Sequence, residues 1–401
     1  MKQQQHGASC QEAYLTAIGL DPARVIYFDI ETTGFRASTS QLYMIGWAVK
    51  LRPEETENSC AADYCPDSKP QASETDSWMV TQLLAETASE EALLLHQFQD
   101  VLKDYDTIIE FNGDRFDLPY LREKYESYGM GNPFDVMKTV DLYQELRPFK
   151  SLLSMSRLNQ KSVEQFLHIT REDPYNGGEL IDVYRSVRSH TSSDIDEAIR
   201  SLFLHNYEDV LGMLAMTPVI AYPMISHSSA PVTCRILGGD GTSVPDSPSA
   251  GREQIEADIS DCCLEASFRL RVPVPADIDN DAGPYRIRTL GDTVFITIPL
   301  NRRVMYHFFP DYKDYYYLPE EDTAMHKSVA CFVDPSHRQK ATAQNCYVKK
   351  EGIFLPQTEE RFLPSFRSSY KDRISWFEYQ SDLTQDEEAF SSYIHSLISG
   401  M

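Results

Sequence analysis

The stretch YFDIETTGF, residues 27–35, constrains this chain more than any other. Asp29 and Glu31 stand two apart at the end of an apolar run from Val25 to Ile30. Alternate residues of a strand point the same way, so both carboxylates share one face near the strand's end. The Thr-Thr-Gly that follows lets the backbone turn away and leaves that end open. Two like charges on one face of a buried strand require something cationic to hold them. Taken alone, the pair reads equally well as two solvated acids on an edge strand. The rest of the chain decides.

Around it the periodicity predicts an α/β domain. Arg24 to Ile30 and Leu42 to Lys50 read as neighbouring antiparallel strands, and Trp78 to Leu84 as a third. Residues 52–77, polar and rich in Pro and Ser, read as a surface insertion. A lead-in helix is expected within residues 12–20, and another from Ser89 to Lys103, with Leu93, Leu94, Phe98, Val101 and Leu102 at helical spacing. Residues 106–121 read as strand, Gly turn and helix, and 139–143 as a short strand entering a helix near Gln144 to Leu146. Further helices are expected over Ser162 to Ile169, Leu180 to Val187 and Ser193 to Met216. Strands first, then alternating strands and helices, indicate a mixed sheet covered by helices.

Residues 225–252 are rich in Ser, Pro and Gly, which divides the chain into a domain at 1–220, a linker at 221–255 and a β-rich accessory domain at 256–401. In the last part Phe268, Leu270 and Val272 alternate with Arg269 and Arg271, and residues 285–300 read as a hairpin turning at Gly291 and Asp292. A closing helix carries Phe390, Tyr393, Ile394 and Leu397, with Thr384 and Glu387 at capping-box spacing. The tyrosine-crowded stretch 307–333 reads first as packed β faces and second as a platform for stacking bases.

Composition limits the partners. Lys and Arg number 37 against 61 Asp and Glu, a net charge of −24, so the surface repels phosphate at long range and nonspecific duplex binding is expected to be weak. A nucleic-acid substrate would need local basic patches and bound cations. The eight cysteines form neither C-x-x-C nor a zinc pattern, and no run approaches the roughly 18 apolar residues of a membrane span, so a cytoplasmic protein with free thiols and no membrane partner is expected.

Two further acidic centres follow. The strand Ile108 to Phe111 runs into Asn112 and Gly113, and Asp117 falls in the first turn of the next helix, where the dipole favours a carboxylate. Asp114 is the better placed cap, which leaves Asp117 for another role. Later, His205 and Asp209 stand four apart on one helix face, beside an apolar stripe of Leu204, Tyr207, Leu211 and Leu214 expected to face the core. Gly212 leaves space on the polar side. Asp29, Glu31, Asp117 and Asp209 can thus converge at one sheet end. That oxygen donor set suits Mg²⁺ or Mn²⁺, and two such ions about 3.5–4 Å apart clamp the attacking and leaving oxygens of a phosphodiester. A nearby His can take the proton of an attacking water.

The order D-x-E, N-x-x-x-F-D and H-N-x-x-D resembles the DEDD 3′–5′ exonucleases of RNase H-like fold, and among them the YprB-type branch related to the proofreading domain of family B DNA polymerases. The resemblance is carried by residues 27–35, 42–48, 110–121, 140–148, 173–181 and 203–214. It implies an RNase H-like sheet and two divalent ions, Mg²⁺ or Mn²⁺, held by Asp29, Glu31, Asp117 and Asp209. It also implies that Glu31 orients the attacking water, that His205 is the general base, and that the substrate is DNA or RNA with a 3′ end, single-stranded, released as nucleoside 5′-monophosphates. His205 stands at the spacing from Asp209 that relatives use for Tyr, a departure from the pattern. Thr32, Thr33 and Asn112 are expected at the terminal nucleotide, with phosphate contacts drawn from Arg115, Arg122, Lys124, Arg147 and Lys150. The rival expectation is an RNase H-like module that binds nucleic acid or protein without cleaving.

Overall fold

The computed structural model describes residues 1–52, 77–175, 177–238, 243–244, 262–380 and 382–399. They divide into two compact units, Met1–Pro223 with Val274–Ala276, and Met224–Pro273 with Asp277–Met401.

The first unit is built on a six-stranded sheet of Lys2–Ala8 (β1), Val25–Thr32 (β2), Leu42–Lys50 (β3), Trp78–Leu84 (β4), Thr107–Glu110 (β5) and Lys138–Asp141 (β6). Their order is β1-β4-β3-β2-β5-β6. The first four run antiparallel to their neighbours, whereas β5 lies parallel to β2 and β6 parallel to β5. This is the mixed sheet that the sequence pattern predicts. Its central strands are apolar on both sides and buried almost throughout, as a sheet covered on both faces requires.

The helices that cover it include Glu12–Ala17 (α1), Glu91–Leu102 (α2), Asp117–Ser127 (α3), Leu142–Leu146 (α4), Gln160–Phe166 (α5), Gly177–Arg188 (α6) and Ile195–Met216 (α7). Strand alternation sorts β2. Ile26, Phe28 and Ile30 join one core with Leu94 and Phe98 of α2 and with Leu118 and Leu121 of α3. Asp29 points to the opposite face, where Asn206 of α7 meets its carboxylate. On that side Tyr43, Met44 and Leu84 form a second core with Leu180 and Tyr184 of α6 and Leu202 and Phe203 of α7.

Several expectations are corrected. The polar segment β1, not anticipated as a strand, pairs with β4 at the sheet edge, where only Ala8 need be buried. Leu204, Tyr207 and Leu211 are only half-buried, while Phe203, Asn206, Val210 and Met213 are buried instead. The reason lies in β3, where Gly46 has no side chain: a Cβ there would overlap Asn206 Oδ1, so a polar residue of α7 takes the close approach. Gly212 does not open on free space either, because Glu164 and Gln160 of α5 pack against it. Leu93, expected in the core, is 48% exposed. Helix α3 starts at Asp117 as expected, but Asp114 lies in a separate 3₁₀ turn, Gly113–Arg115, and does not cap it. The helical stretch Ile195–Ser226 is long and apolar enough to cross a membrane by composition, yet most of its apolar window is buried inside the protein. The expected insertion at 52–77 lies outside the described residues but for its two end residues. The expected linker at 221–255 is described at 221–238 and 243–244, where it forms the helix Ala221–Ser226 and the strands Thr233–Leu237 and Ser243–Val244.

The second unit is β-rich, as predicted. One six-stranded antiparallel sheet comprises Thr233–Leu237, Ser243–Val244, Cys263–Arg269, Asp279–Ala282, Tyr285–Leu290 and Thr293–Pro299. The hairpin turns at Gly291, whose φ of 59° favours glycine. Two three-stranded sheets follow. The tyrosines are largely packed: Tyr306 and Phe308 lie against Tyr347, and the hydroxyls of Tyr317 and Tyr347 both donate to Asp322. The closing helix, Glu387–Ile398, is capped by Asp386, which accepts from the N–H groups of Glu388 and Ala389, and not by Thr384.

Candidate active site

Strand β2 delivers Asp29 and Glu31 side by side, and a register shift between Glu31 and Thr32 ends its regular pairing with β3. The turn beyond is closed by its own threonines. Thr32 Oγ1 donates to the Gly34 carbonyl at 2.9 Å, and Thr33 Oγ1 accepts from the Gln41 N–H at 2.9 Å. Both hydroxyls expected at the terminal nucleotide are therefore engaged within the turn.

From β5 the chain turns at Asn112, whose φ of 64° is left-handed and whose N–H donates to Asp141 Oδ1 at 2.8 Å. That turn starts α3 beside the end of β2. The carboxyl of Asp117 faces its own backbone and that of Ile30, the residue between Asp29 and Glu31, and both favour its charged form. From the other side, α7 brings His205 and Asp209 one turn apart. His205 Nε2 lies 3.2 Å from Asp209 Oδ2 and 3.6 Å from Glu31 Oε1. Asn206 Nδ2 donates to Asp29 Oδ2 at 2.9 Å and Gln82 Nε2 donates to Asn206 Oδ1 at 2.9 Å, a buried chain that fixes Asp29 to β4.

Three of the four acids are shifted by burial and by their neighbours. Burial, and then the charges of Asp209, Glu31 and Asp117, hold the Asp29 carboxyl well above the usual range. Burial and the charges of Asp209, Asp117 and Asp173 do the same to Glu31. Asp117 is pushed up to about 7, by burial first, against its own backbone and that of Ile30, which favour the charged form. Glu31, His205 and Asp209 each offer a ligand atom within 4.8 Å of the others. Clustered oxygen donors that raise one another's proton affinity fit a divalent cation, whose charge would relieve that repulsion.

The segment between α5 and α6 contributes residues that sequence reasoning missed. Arg171 Nη1 lies 2.6 Å from Asp209 Oδ1, and the remainder of the guanidinium pairs with Glu164 of α5. The N–H groups of Glu172 and Asp173 donate to Glu208 at 2.7 and 3.0 Å. Asp173 Oδ2 then meets His205 Nδ1 at 2.6 Å. Three successive residues thus strap this segment onto α7. The signal was the polar triplet Arg171, Glu172 and Asp173, but no periodicity links it to α7.

The cations expected on phosphate separate into two groups. Lys124 is 6% exposed, pairs with Glu91 Oε1 at 2.8 Å and donates to the Ser40 carbonyl, so it is a structural residue and not a phosphate contact. Arg115, Arg122 and Arg147 are exposed and Lys150 is half-buried. Arg115 lies over the Tyr143 ring, 5.7 Å from its centroid.

Residues 26–220 match the family described as RNase_H superfamily. The first unit has an RNase H-like fold. No curated protein matches the chain. Among solved structures, the family B DNA polymerase from the hyperthermophilic archaeon Pyrobaculum calidifontis is similar at 17% identity over 52% of this chain, with a TM-score of 0.35. The match spans 26% of that polymerase.

Proposed function

We propose that the RNase H-like unit is a metal-dependent 3′–5′ exonuclease acting on single-stranded nucleic acid. The observation that carries this reading is the convergence of carboxylates from β2, α3 and α7, with the Asp209 charge raising the carboxyls of Asp29, Glu31 and Asp117 after burial, and an imidazole nitrogen 3.2 Å from Asp209 and 3.6 Å from Glu31. Those four carboxylates would hold two divalent ions, Mg²⁺ or Mn²⁺, which supply positive charge to the attacking and leaving oxygens of a phosphodiester. Glu31 orients a water, and His205 Nε2 accepts its proton as the water oxygen bonds to phosphorus. The bond from phosphorus to the 3′ oxygen of the preceding nucleotide breaks, and that oxygen takes up a proton. The products are a nucleoside 5′-monophosphate and a strand one residue shorter with a new 3′ hydroxyl. Arg115 and Lys150 are the proposed phosphate contacts. Thr32, Thr33 and Asn112 are proposed to lie against the terminal nucleotide, with the Asn112 side chain as the polar contact. The threonine hydroxyls are committed to the turn, and the N–H groups of Thr33 and Asn112 donate to Gln41 and Asp141.

One observation favours a non-cleaving binding module instead: Asp209 already has a guanidinium on one oxygen and an imidazole on the other. End-labelled oligonucleotides distinguish the readings. With Mn²⁺ or Mg²⁺, the proposal predicts early release of a 3′ label as mononucleotide, a shrinking 5′-labelled ladder and an intact circular single strand. Binding of the oligonucleotide with neither label released would favour the module.

A further inference from the structure

His205 is surrounded by carboxylates on both of its nitrogens. On one side Nε2 faces Asp209 and Glu31 at 3.2 and 3.6 Å. On the other, Nδ1 lies 2.6 Å from Asp173 Oδ2, a length typical of a charge-assisted hydrogen bond. An ionised carboxylate can only accept, so the Nδ1 of His205 must be the donor. In a neutral imidazole the other nitrogen then carries the lone pair.

Asp173 is itself held from three directions. Its N–H donates to Glu208 Oε2 at 3.0 Å, its Oδ1 accepts from the Tyr175 N–H at 3.0 Å, and Lys161 Nζ stands 3.6 Å from its Oδ2. Its side chain is wholly buried and that of His205 is 7% exposed, so solvent does not compete for the bond. A residue serving only to anchor the loop has no need to end on the imidazole, because Glu208 already ties two successive N–H groups of the segment to α7.

We propose that Asp173 is a positioning residue, which keeps His205 in the tautomer protonated on Nδ1 and turns the free Nε2 toward Glu31 and Asp209. That Nδ1 is the donor stands on the hydrogen-bond geometry alone, whereas a bare Nε2 beside Asp209 and Glu31 requires their charge to be met by a divalent cation, as in the nuclease reading. The use of Nε2, receiving the proton of an attacking water, rests on that same reading.

The test uses the full chain with ¹⁵N-labelled histidine and Mg²⁺ at pH 8, with His205→Gln to identify the His205 resonances. The expected result is a proton on Nδ1 and a bare Nε2 in the wild type, and a shift to the Nε2-protonated form in Asp173→Ala. A wild-type His205 protonated on Nε2 or on both nitrogens would overturn the proposal, as would a tautomer indifferent to Asp173→Ala. The remaining histidines of the ten report in the same spectrum whether the variant is folded. If it is not, the wild-type tautomer alone decides. In single-strand digestion, Asp173→Ala should lower kcat about 100-fold with little change in KM. It should add almost nothing in a His205→Ala background, and equal losses in both backgrounds would contradict a role through the imidazole. A wild type that cleaves no oligonucleotide would remove the nuclease reading and leave the tautomer measurement to judge Asp173.

Discussion

Arg171 Nη1 lies 2.6 Å from Asp209 Oδ1 while its Nη2 donates to Glu164 Oε1 at 2.6 Å, so one guanidinium joins α5 to the acid at the centre of the candidate site. The Arg171 side chain is 10% exposed and that of Glu164 is 2% exposed. Glu164 has no room to turn away, because it is packed against the Cα of Gly212. Arg171→Ala would leave it buried with only the Gln160 amide as a partner and no cation, and should cost about 3–5 kcal/mol in a urea unfolding experiment. A loss below about 1 kcal/mol would show that the pair does not carry the strap.

Glu110 makes stability depend on pH. Burial, and then the charge of Asp141, raise its carboxyl from 4.5 to about 9. Across that interval the folded chain keeps a proton that the unfolded chain has released, so this group's contribution to stability falls as the pH rises. Glu110→Gln retains an acceptor for the Gly113 N–H and cannot ionise. It should be more stable than the wild type at pH 8 by on the order of 4 kcal/mol, with the gain largely gone toward pH 5. A gain equal at both values, or none at pH 8, would contradict the assignment.

Gly46 sets how closely α7 approaches the sheet. Gly46→Ala would drive a methyl group into Asn206, and should cost about 1–3 kcal/mol and loosen the bond from Asn206 to Asp29. Gly131→Ala is the control, since nothing lies within 4 Å of the Cβ it would add. Thermal melts in which both variants match the wild type would show that the contact yields freely.

Metal affinity should follow the acids. Below a pH of about 7 Asp117 gains a proton, and Asp29 and Glu31, held well above their usual range, compete for protons too. Mn²⁺ titrated calorimetrically should bind at least ~10-fold more tightly at pH 8 than at pH 6. Asp117→Asn should weaken binding and flatten that dependence. Equal affinity at both values would place the ion elsewhere.

Much of the fold was legible because its signals are local. Strands β3 and β4 are apolar on both sides and begin and end where the pattern does, and Gly291 marks its own hairpin. Asp29 and Glu31 stood out because acids are costly at the end of an apolar strand. Less was legible where a partner lies far along the chain. Asn206 faces the sheet only because Gly46 makes room for it. Lys124 is inside only because Glu91 and the Ser40 carbonyl receive it. Asp173 reaches His205 across 32 residues from a segment with no repeat of its own, so the surroundings of the imidazole could not be read from spacing.

The central claim is that the four acids hold metal for cleavage. The most direct test measures mononucleotide release from a 3′-labelled single strand with Mn²⁺, comparing the wild type with Asp29→Asn and Asp209→Asn under conditions where all three are folded. The account predicts release by the wild type, abolished by chelation, and a loss of at least about 10³-fold in each variant. Release that survives both substitutions, or a folded wild type that releases nothing with either Mn²⁺ or Mg²⁺, would contradict it.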